Sequence, residues 1–134
     1  MISDLSLANK INIDIYLDGA DLEIVKKFSK YDFIKGFTSN PSLMHKSNIS
    51  SYEKFIKEFL NITSKPISFE VVSDDLNEMK EQAIRLSSYG SNVYVKIPIT
   101  NSKGIETTKI ISELTDLNIK LNITAIFTIQ QIEK

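Results

Sequence analysis

The chain has 134 residues, 42% of them hydrophobic and 25% charged, which predicts one ordinary globular domain, residues 1–134, with a core of its own. Sixteen basic and seventeen acidic residues give a net charge of -1, which argues against nucleic acid or an anionic membrane as the main partner. The sequence has no cysteine, which excludes a disulfide framework and a thiolate metal site.

The expected compartment is the cytoplasm. The first residues, Met1-Ile2-Ser3-Asp4-Leu5-Ser6, have no basic segment before an apolar core and are therefore unlike a signal peptide. No apolar run approaches the length that spans a bilayer. His45 is the one histidine and cannot build a metal site alone, so no metal is expected.

The first half of the chain alternates predicted strands with predicted helices. Residues 11–17 read as a strand, and Asp21 then caps a short helix. Residues 33–38 form the second strand, and Asn40-Pro41-Ser42 follows it as a loop. From Ser51 onwards, apolar residues recur at the spacing of an amphipathic helix. The apolar positions of this helix are Tyr52, Phe55, Ile56, Phe59 and Leu60.

The third strand and the helix after it are also predicted from local signals. Residues 67–72 form the strand, and Asp75 caps the helix, with Glu78 at the spacing of a capping box. Gly90 is placed to end this helix.

The last part of the chain continues the alternation. Residues 92–100 form a strand rich in β-branched residues, a helix runs over about 102–117, and residues 119–127 form the fifth strand. Thr128 and Gln131 then have the spacing of a cap and third position of another helix.

This order of elements predicts an α/β fold with a parallel sheet or barrel. Polar residues near the strand ends recur at intervals of 22 to 30 residues. A closed barrel of eight such units requires roughly 200 residues or more. The chain therefore corresponds to about five of the eight strand–helix units of a (β/α)8 TIM-type barrel.

Lys96 is the one residue of strand 92–100 that no packing argument requires. Burial in an apolar strand disfavours its cation, which pushes the amine toward the neutral form. A neutral amine is a nucleophile that can form a Schiff base with a carbonyl substrate. The alternative is that the long side chain reaches past the strand end to solvent.

Five consecutive strands each bring a polar group toward the same end, where barrel enzymes build their active sites. These groups are Asp18, Asn40, Glu70, Lys96 and Thr124. Alternative structural roles exist, with Asp18 and Asn40 as turn residues and Asn122 with Thr124 as a local hydrogen-bonded pair. Two carboxylates and a lysine at neighbouring strand ends nevertheless favour a shared functional pocket.

Five ordered segments resemble the successive signature segments of the transaldolase family, most of all its short bacterial-type members, from about Ile13 to the end of the chain. The segments are Leu17-Asp18-Gly19-Ala20-Asp21, Thr38-Ser39-Asn40-Pro41-Ser42-Leu43, Phe69-Glu70-Val71, Val95-Lys96-Ile97-Pro98 and Leu121-Asn122-Ile123-Thr124-Ala125-Ile126-Phe127. The resemblance implies an eight-stranded (β/α) barrel and a class I, Schiff-base aldol transfer in the pentose phosphate pathway.

The resemblance also implies catalytic roles. Lys96 would attack the carbonyl of a ketose phosphate and hold a three-carbon dihydroxyacetone unit. Asp18 would shuttle the proton when the carbon–carbon bond breaks and forms, and Glu70 and Thr124 would hold a catalytic water. The reaction implied converts sedoheptulose 7-phosphate and glyceraldehyde 3-phosphate to erythrose 4-phosphate and fructose 6-phosphate. No cofactor is implied, because the iminium ion is the electron sink.

Substrate binding is implied for Thr38, Asn40 and Asn122, which would contact the sugar. Full-length relatives hold the substrate phosphate with a serine and an arginine from later strands. Arg85, the only arginine here, is predicted on an outer helix and cannot replace them.

Two alternatives remain at this point. The related fructose-6-phosphate aldolases, which are lyases, usually carry glutamine where this chain has Glu70, so the glutamate favours the transferase. The chain could instead be a truncated, non-catalytic barrel fragment that self-associates, since an open sheet exposes an edge and apolar faces. Self-association would give a homo-oligomer. Little activity is expected from these 134 residues alone.

Overall fold

A computed structural model of the chain describes residues 12–46 and 51–134. Five parallel strands alternate with helices, and the strands follow the order β1-β2-β3-β4-β5 in one sheet. The strands are β1 (Ile15–Asp18), β2 (Ile34–Thr38), β3 (Ile67–Glu70), β4 (Val93–Pro98) and β5 (Leu121–Thr124). The helices are α1 (Leu22–Phe28), α2 (Pro41–Lys46), α3 (Tyr52–Ile62), α4 (Leu76–Ser87), α5 (Thr108–Asp116) and α6 (Ile129–Ile132). This is the strand order of consecutive units of a (β/α)8 barrel, and the predicted fold class is confirmed.

The chain separates into two compact units, Met1–Ile67 and Ser68–Lys134. In the first unit, β1 and β2 pair in parallel, with Asp18 opposite Thr38. The core of this unit includes Phe55, Ile56 and Phe59 on the inner face of α3, as the helical spacing predicts. The ring of Phe59 meets that of Phe37 edge-to-face, with centroids 5.4 Å apart.

Helix starts in the first unit follow from capping side chains. Asp21 accepts hydrogen bonds from the backbone N–H groups of Glu23 and Ile24 at the start of α1, as predicted. Ser51 does the same for Lys54 at the start of α3. Ile11, where the first strand was expected to begin, lies outside the described residues.

The prediction that Asn40-Pro41-Ser42 forms a loop is wrong, because α2 begins within it at Pro41. The side-chain oxygen of Asn40 accepts a hydrogen bond of 2.9 Å from the Leu43 N–H. Pro41 occupies the first helical position, where the N–H that proline lacks would have no intrahelical partner. An asparagine followed by a proline is therefore a helix start here.

In the second unit, β4 pairs in parallel with β5, with Lys96 opposite Asn122 and Pro98 opposite Thr124. Asp75 caps α4 as predicted, and Met79, Ala83 and Leu86 on this helix are buried. No helix in the two described ranges is both long and apolar enough to cross a bilayer.

Gly90 does not end α4 in the predicted way. The helix closes earlier, where the Ser88 N–H donates to the carbonyl oxygens of Ile84 and Arg85. Among the described residues, the glycine with a left-handed backbone is Gly104, at φ 76°.

The predicted helix 102–117 is too long, since α5 begins only at Thr108 and residues 99–107 form a loop. The Asn101 side-chain oxygen accepts from the N–H groups of Lys103 and Ile105, which diverts this backbone from helical bonding. The left-handed Gly104 in the same loop is also incompatible with a helix.

The last predicted elements are present but shorter. The fifth strand ends at Thr124, and Ala125 follows with a left-handed φ of 58°. The capping box of Thr128 and Gln131 forms at the start of α6, as the spacing predicts.

Candidate active site

Lys96 lies on the half-buried face of β4. Val93, Val95 and Ile97 are almost completely buried on the other face, while Tyr94, Lys96 and Pro98 alternate with them. The Lys96 side chain is 16% exposed, so it does not reach freely into solvent past the strand end. Strand alternation accounts for this position, because successive side chains point to opposite faces.

A carboxylate faces the Lys96 amine. The Nζ atom of Lys96 lies 3.4 Å from the Oε2 atom of Glu70, whose side chain is 22% exposed. The backbone joins the two strands at the same place, since the Val71 N–H donates to the Lys96 carbonyl oxygen. The sequence argument placed Lys96 among apolar neighbours, and the structure adds a proton acceptor within ion-pair distance.

The polar face of the second unit extends to β5. The Asn122 side-chain amide donates a hydrogen bond of 3.0 Å to the hydroxyl of Ser68, a buried residue two positions before Glu70. Thr124, two residues after Asn122, is half-buried. In (β/α) barrels, side chains from alternate strands share a layer, and Ser68 on β3 with Asn122 on β5 follow that rule.

Ser68 was not predicted as a site residue. Ser68 and Glu70 are two positions apart, so the sequence already places them on the same face of the strand. A serine inside a strand, however, has no chemical signature of its own. The 54 residues that separate Ser68 from Asn122 also hide the hydrogen bond from any local pattern.

The remaining predicted site residues belong to the first unit. The Thr38 hydroxyl donates a hydrogen bond of 2.7 Å to Asp18 Oδ1, across the register pair that joins β2 to β1. Asn40 caps α2, so a structural role is already visible for its side-chain oxygen. Ser39 between them is fully buried, and its hydroxyl has no hydrogen-bond partner among the described residues.

Two further observations concern ligands and charge. In the described part of the chain, no three His, Cys, Asp or Glu side chains are grouped so that they could hold a metal ion. Arg85 lies exposed on α4, as expected for an outer helix.

A family model described as Transaldolase/Fructose-6-phosphate aldolase matches residues 15–134. The chain belongs to this family. The resemblance seen in the five sequence segments is therefore confirmed. The transaldolase/fructose-6-phosphate aldolase match covers all five strands and every predicted site residue.

Curated relatives of this family member include probable transaldolases from three organisms. Those of Nitrosopumilus maritimus (strain SCM1) and Methanococcus maripaludis (strain C5 / ATCC BAA-1333) are each 38% identical to it, over 117 and 116 residues. That of Geobacillus sp. (strain WCH70) is 35% identical over 116 residues. The matches cover 87% of this chain but 50% to 52% of the relatives. The chain thus spans about half the length of the curated relatives it matches.

Proposed function

We propose that this family member acts as a transaldolase that moves a dihydroxyacetone unit between sugar phosphates, with Lys96 as its Schiff-base nucleophile. The observation that carries the proposal is the pair of Lys96 and Glu70, 3.4 Å apart and mostly withdrawn from solvent. An amine must lose a proton before it attacks a carbonyl, and a carboxylate beside it can accept that proton. The names of the relatives, probable transaldolases, support the same chemistry.

The first stage is imine formation. The Lys96 amine attacks the C2 carbonyl of a ketose phosphate, such as sedoheptulose 7-phosphate or fructose 6-phosphate, and forms a carbinolamine. Glu70 takes the ammonium proton and, through a water held with Thr124, protonates the hydroxyl that departs as water. The product is a protonated imine, the iminium ion, between Lys96 and the sugar.

The second stage breaks and remakes a carbon–carbon bond. Asp18 accepts the proton of the C4 hydroxyl as the C3–C4 electron pair moves into the iminium, and an aldehyde leaves. The three-carbon enamine on Lys96 then adds to an acceptor aldehyde, while Asp18 returns the proton to the new hydroxyl. Hydrolysis of the second imine frees the product and the amine.

Three polar side chains orient the sugar substrate in this proposal, because each can form hydrogen bonds with hydroxyl groups. Thr38, Asn40 and Asn122 contact the sugar hydroxyls in this proposal. The hydroxyl of Thr38 also donates to Asp18 Oδ1, which fixes the orientation of the carboxylate that moves the proton. We expect the protein to work on small sugar phosphates in the cytoplasm, without a metal or organic cofactor.

The experiment that tests the nucleophile is chemical trapping. Incubation with fructose 6-phosphate and borohydride should reduce the imine and leave a three-carbon adduct on the Lys96 peptide. Lys96→Met should remove the adduct, whereas Lys120→Met, at an exposed lysine of the same unit, should keep it. An adduct on another lysine, or none on folded wild-type protein, would overturn the assignment.

A lyase related to the fructose-6-phosphate aldolases is the second candidate, because the family description covers both activities. A transferase releases little free dihydroxyacetone and depends on an acceptor aldehyde, while an aldolase releases dihydroxyacetone without one. Product analysis with and without erythrose 4-phosphate separates the two. Mass measurement in solution, made on the same sample, tests the alternative of an inactive, self-associated fragment.

A further inference from the structure

Two loops of the second unit are joined by a cluster of hydrogen bonds that we call the strand-end clip, formed by Asp74, Asn101 and Ser102. Asp74 Oδ1 accepts from the Ser102 N–H at 2.7 Å, and Asp74 Oδ2 accepts from the Ser102 hydroxyl at 2.6 Å. The Asn101 side-chain amide donates to the Asp74 carbonyl oxygen at 3.2 Å. A single carboxylate thus receives two hydrogen bonds from one residue 28 positions away.

The loops after β3 and β4 are each held by further hydrogen bonds to a neighbouring helix or strand. In the loop after β4, the buried Thr107 returns to the strand and donates from its hydroxyl to the Pro98 carbonyl oxygen at 2.6 Å. In the loop after β3, the Gln82 side-chain oxygen accepts from the N–H groups of Val72 and Ser73. The clip therefore joins two loop segments that are each hydrogen-bonded elsewhere in the second unit.

The clip lies close in sequence to the candidate site. Asp74 is four residues after Glu70, and Ser102 is six residues after Lys96. The hydrogen bond from Val71 to the Lys96 carbonyl joins the same two strands beside the pair. The ends of β3 and β4 are consequently held together both at the pair and beyond it.

We infer that the strand-end clip positions Lys96 against Glu70, which makes Asp74 and Ser102 positioning residues for the Schiff-base site. This inference rests on the proposed function of Lys96. A separation of 3.4 Å leaves little tolerance, because proton transfer requires direct or water-bridged contact. Displacement of reacting groups by about 1 Å can cost two orders of magnitude in rate.

The charge of Asp74 supports this role. The hydrogen bonds donated by the Ser102 hydroxyl and N–H are the main cause that holds the pKa of Asp74 below its ordinary value. The carboxylate is then ionised at neutral pH, and hydrogen bonds to an ionised acceptor are stronger than those between neutral groups.

The test is the rate of imine trapping on Lys96 as a function of fructose 6-phosphate concentration. Asp74→Ala should lower the saturating rate constant about tenfold, while the half-saturating concentration changes by less than about twofold. Ser102→Ala, which removes one hydrogen bond, should lower the rate constant about threefold. Ser102→Thr keeps the hydroxyl and the N–H and should restore the wild-type rate. The matched control is Asp116→Ala, at an exposed aspartate that ends α5.

A saturating rate constant unchanged in folded Asp74→Ala and Ser102→Ala overturns the inference, and so does a loss equal to that of Asp116→Ala. Failure of the proposed function is seen separately, as no Lys96 adduct on the wild type. In that case, crystal structures of wild type and Ser102→Ala decide. A Lys96 Nζ to Glu70 Oε2 distance that lengthens beyond 4 Å supports positioning, and an unchanged distance rejects it.

Discussion

Strands β4 and β5 are neighbours that both alternate apolar and polar residues, yet their burial differs sharply. In β4, Val95 and Ile97 are fully buried, whereas all four residues of β5, including Leu121 and Ile123, are only half-buried. β4 is hydrogen-bonded on both edges, through the Lys96 carbonyl to one side and the Val95 N–H to the other. β5 is the last strand in the sheet order.

The difference shows that composition sets which residues can form a strand, while neighbours set how deeply the strand is buried. Apolar side chains continue beyond β5 without cover in the described structure, and Phe127 is 87% exposed. Burial of apolar surface is the main stabilising contribution in a domain. Equivalent substitutions on the two strands should therefore have unequal effects.

The largest contrast is expected for isoleucine-to-alanine substitutions. Ile97→Ala should lower the free energy of unfolding by about 3 kcal/mol, because it leaves a cavity in a close-packed region. Ile123→Ala, on half-buried β5, should cost about 1 kcal/mol. Urea denaturation of the two variants measures both values. Equal losses would show that the two strands are equally covered in solution.

The next contrast is between two ion pairs. The pair of Lys96 and Glu70 is partly buried, whereas the pair of Lys57 and Glu53 is exposed. Lys96→Met leaves the partly buried Glu70 carboxylate without the ammonium that faces it, and should cost about 1–2 kcal/mol. Lys57→Met removes the 2.7 Å pair with Glu53 on the surface of α3, where both side chains are about 60% exposed, and should cost less than about 0.5 kcal/mol. The double variant Lys96→Met, Glu70→Gln should recover part of the loss. No recovery in that double variant would exclude coupling between the two groups.

The exposed end of the second unit should affect association more than stability. Phe127 and Ile129 are 87% and 70% exposed, so replacing both by serine should change the free energy of unfolding by less than about 0.5 kcal/mol. The substitutions should nevertheless reduce self-association, because exposed apolar side chains on one segment favour contacts between molecules. Sedimentation velocity across a concentration series measures the mass distribution. The same distribution in the variant and the wild type would place the association elsewhere.

The smallest effect concerns pH and the hydrogen bonds that join Asp74, in the loop after β3, to Ser102, in the loop after β4. The pKa of Asp74 is lowered from an ordinary value of 3.8 by the hydrogen bonds from Ser102. A lowered pKa in the folded state means that the ionised carboxylate contributes stability above the unfolded value, and that this contribution is lost as the pH falls through the folded value. The difference in urea midpoint between wild type and Asp74→Ala should be constant from about pH 5 to pH 7 and shrink below about pH 3.8. A difference that grows on acidification would contradict the assignment.

Three helix caps were predicted correctly from the sequence. The caps of Asp21, Asp75 and Thr128 all form, because each uses atoms only two or three positions apart along the chain. Local signals failed where two of them competed. Asn40-Pro41 has the composition of a turn and also of a helix start, and the second use is the one observed.

In the segment after β4 the error is reversed, because a predicted helix is a loop in the structure. A helix was predicted from about residue 102, but the Asn101 side chain and the left-handed Gly104 hold the backbone in a loop. Its bonds to Asp74 lie 28 residues away, beyond the reach of any periodicity argument. The loop that was predicted incorrectly is also the one whose Asn101 and Ser102 bond to Asp74 in the loop after β3.

The sequence by itself determined the alternation of strands and helices, the caps at Asp21, Asp75 and Thr128, and the face of β4 on which Lys96 lies, because each depends on atoms within a few residues. Only the tertiary structure decided which distant side chains meet. The 3.4 Å between Lys96 and Glu70, the bond from Asn122 to Ser68 and the clip at Asp74 all join separate elements. Such contacts depend on how the chain between them closes, and residue identity along one strand does not encode that closure.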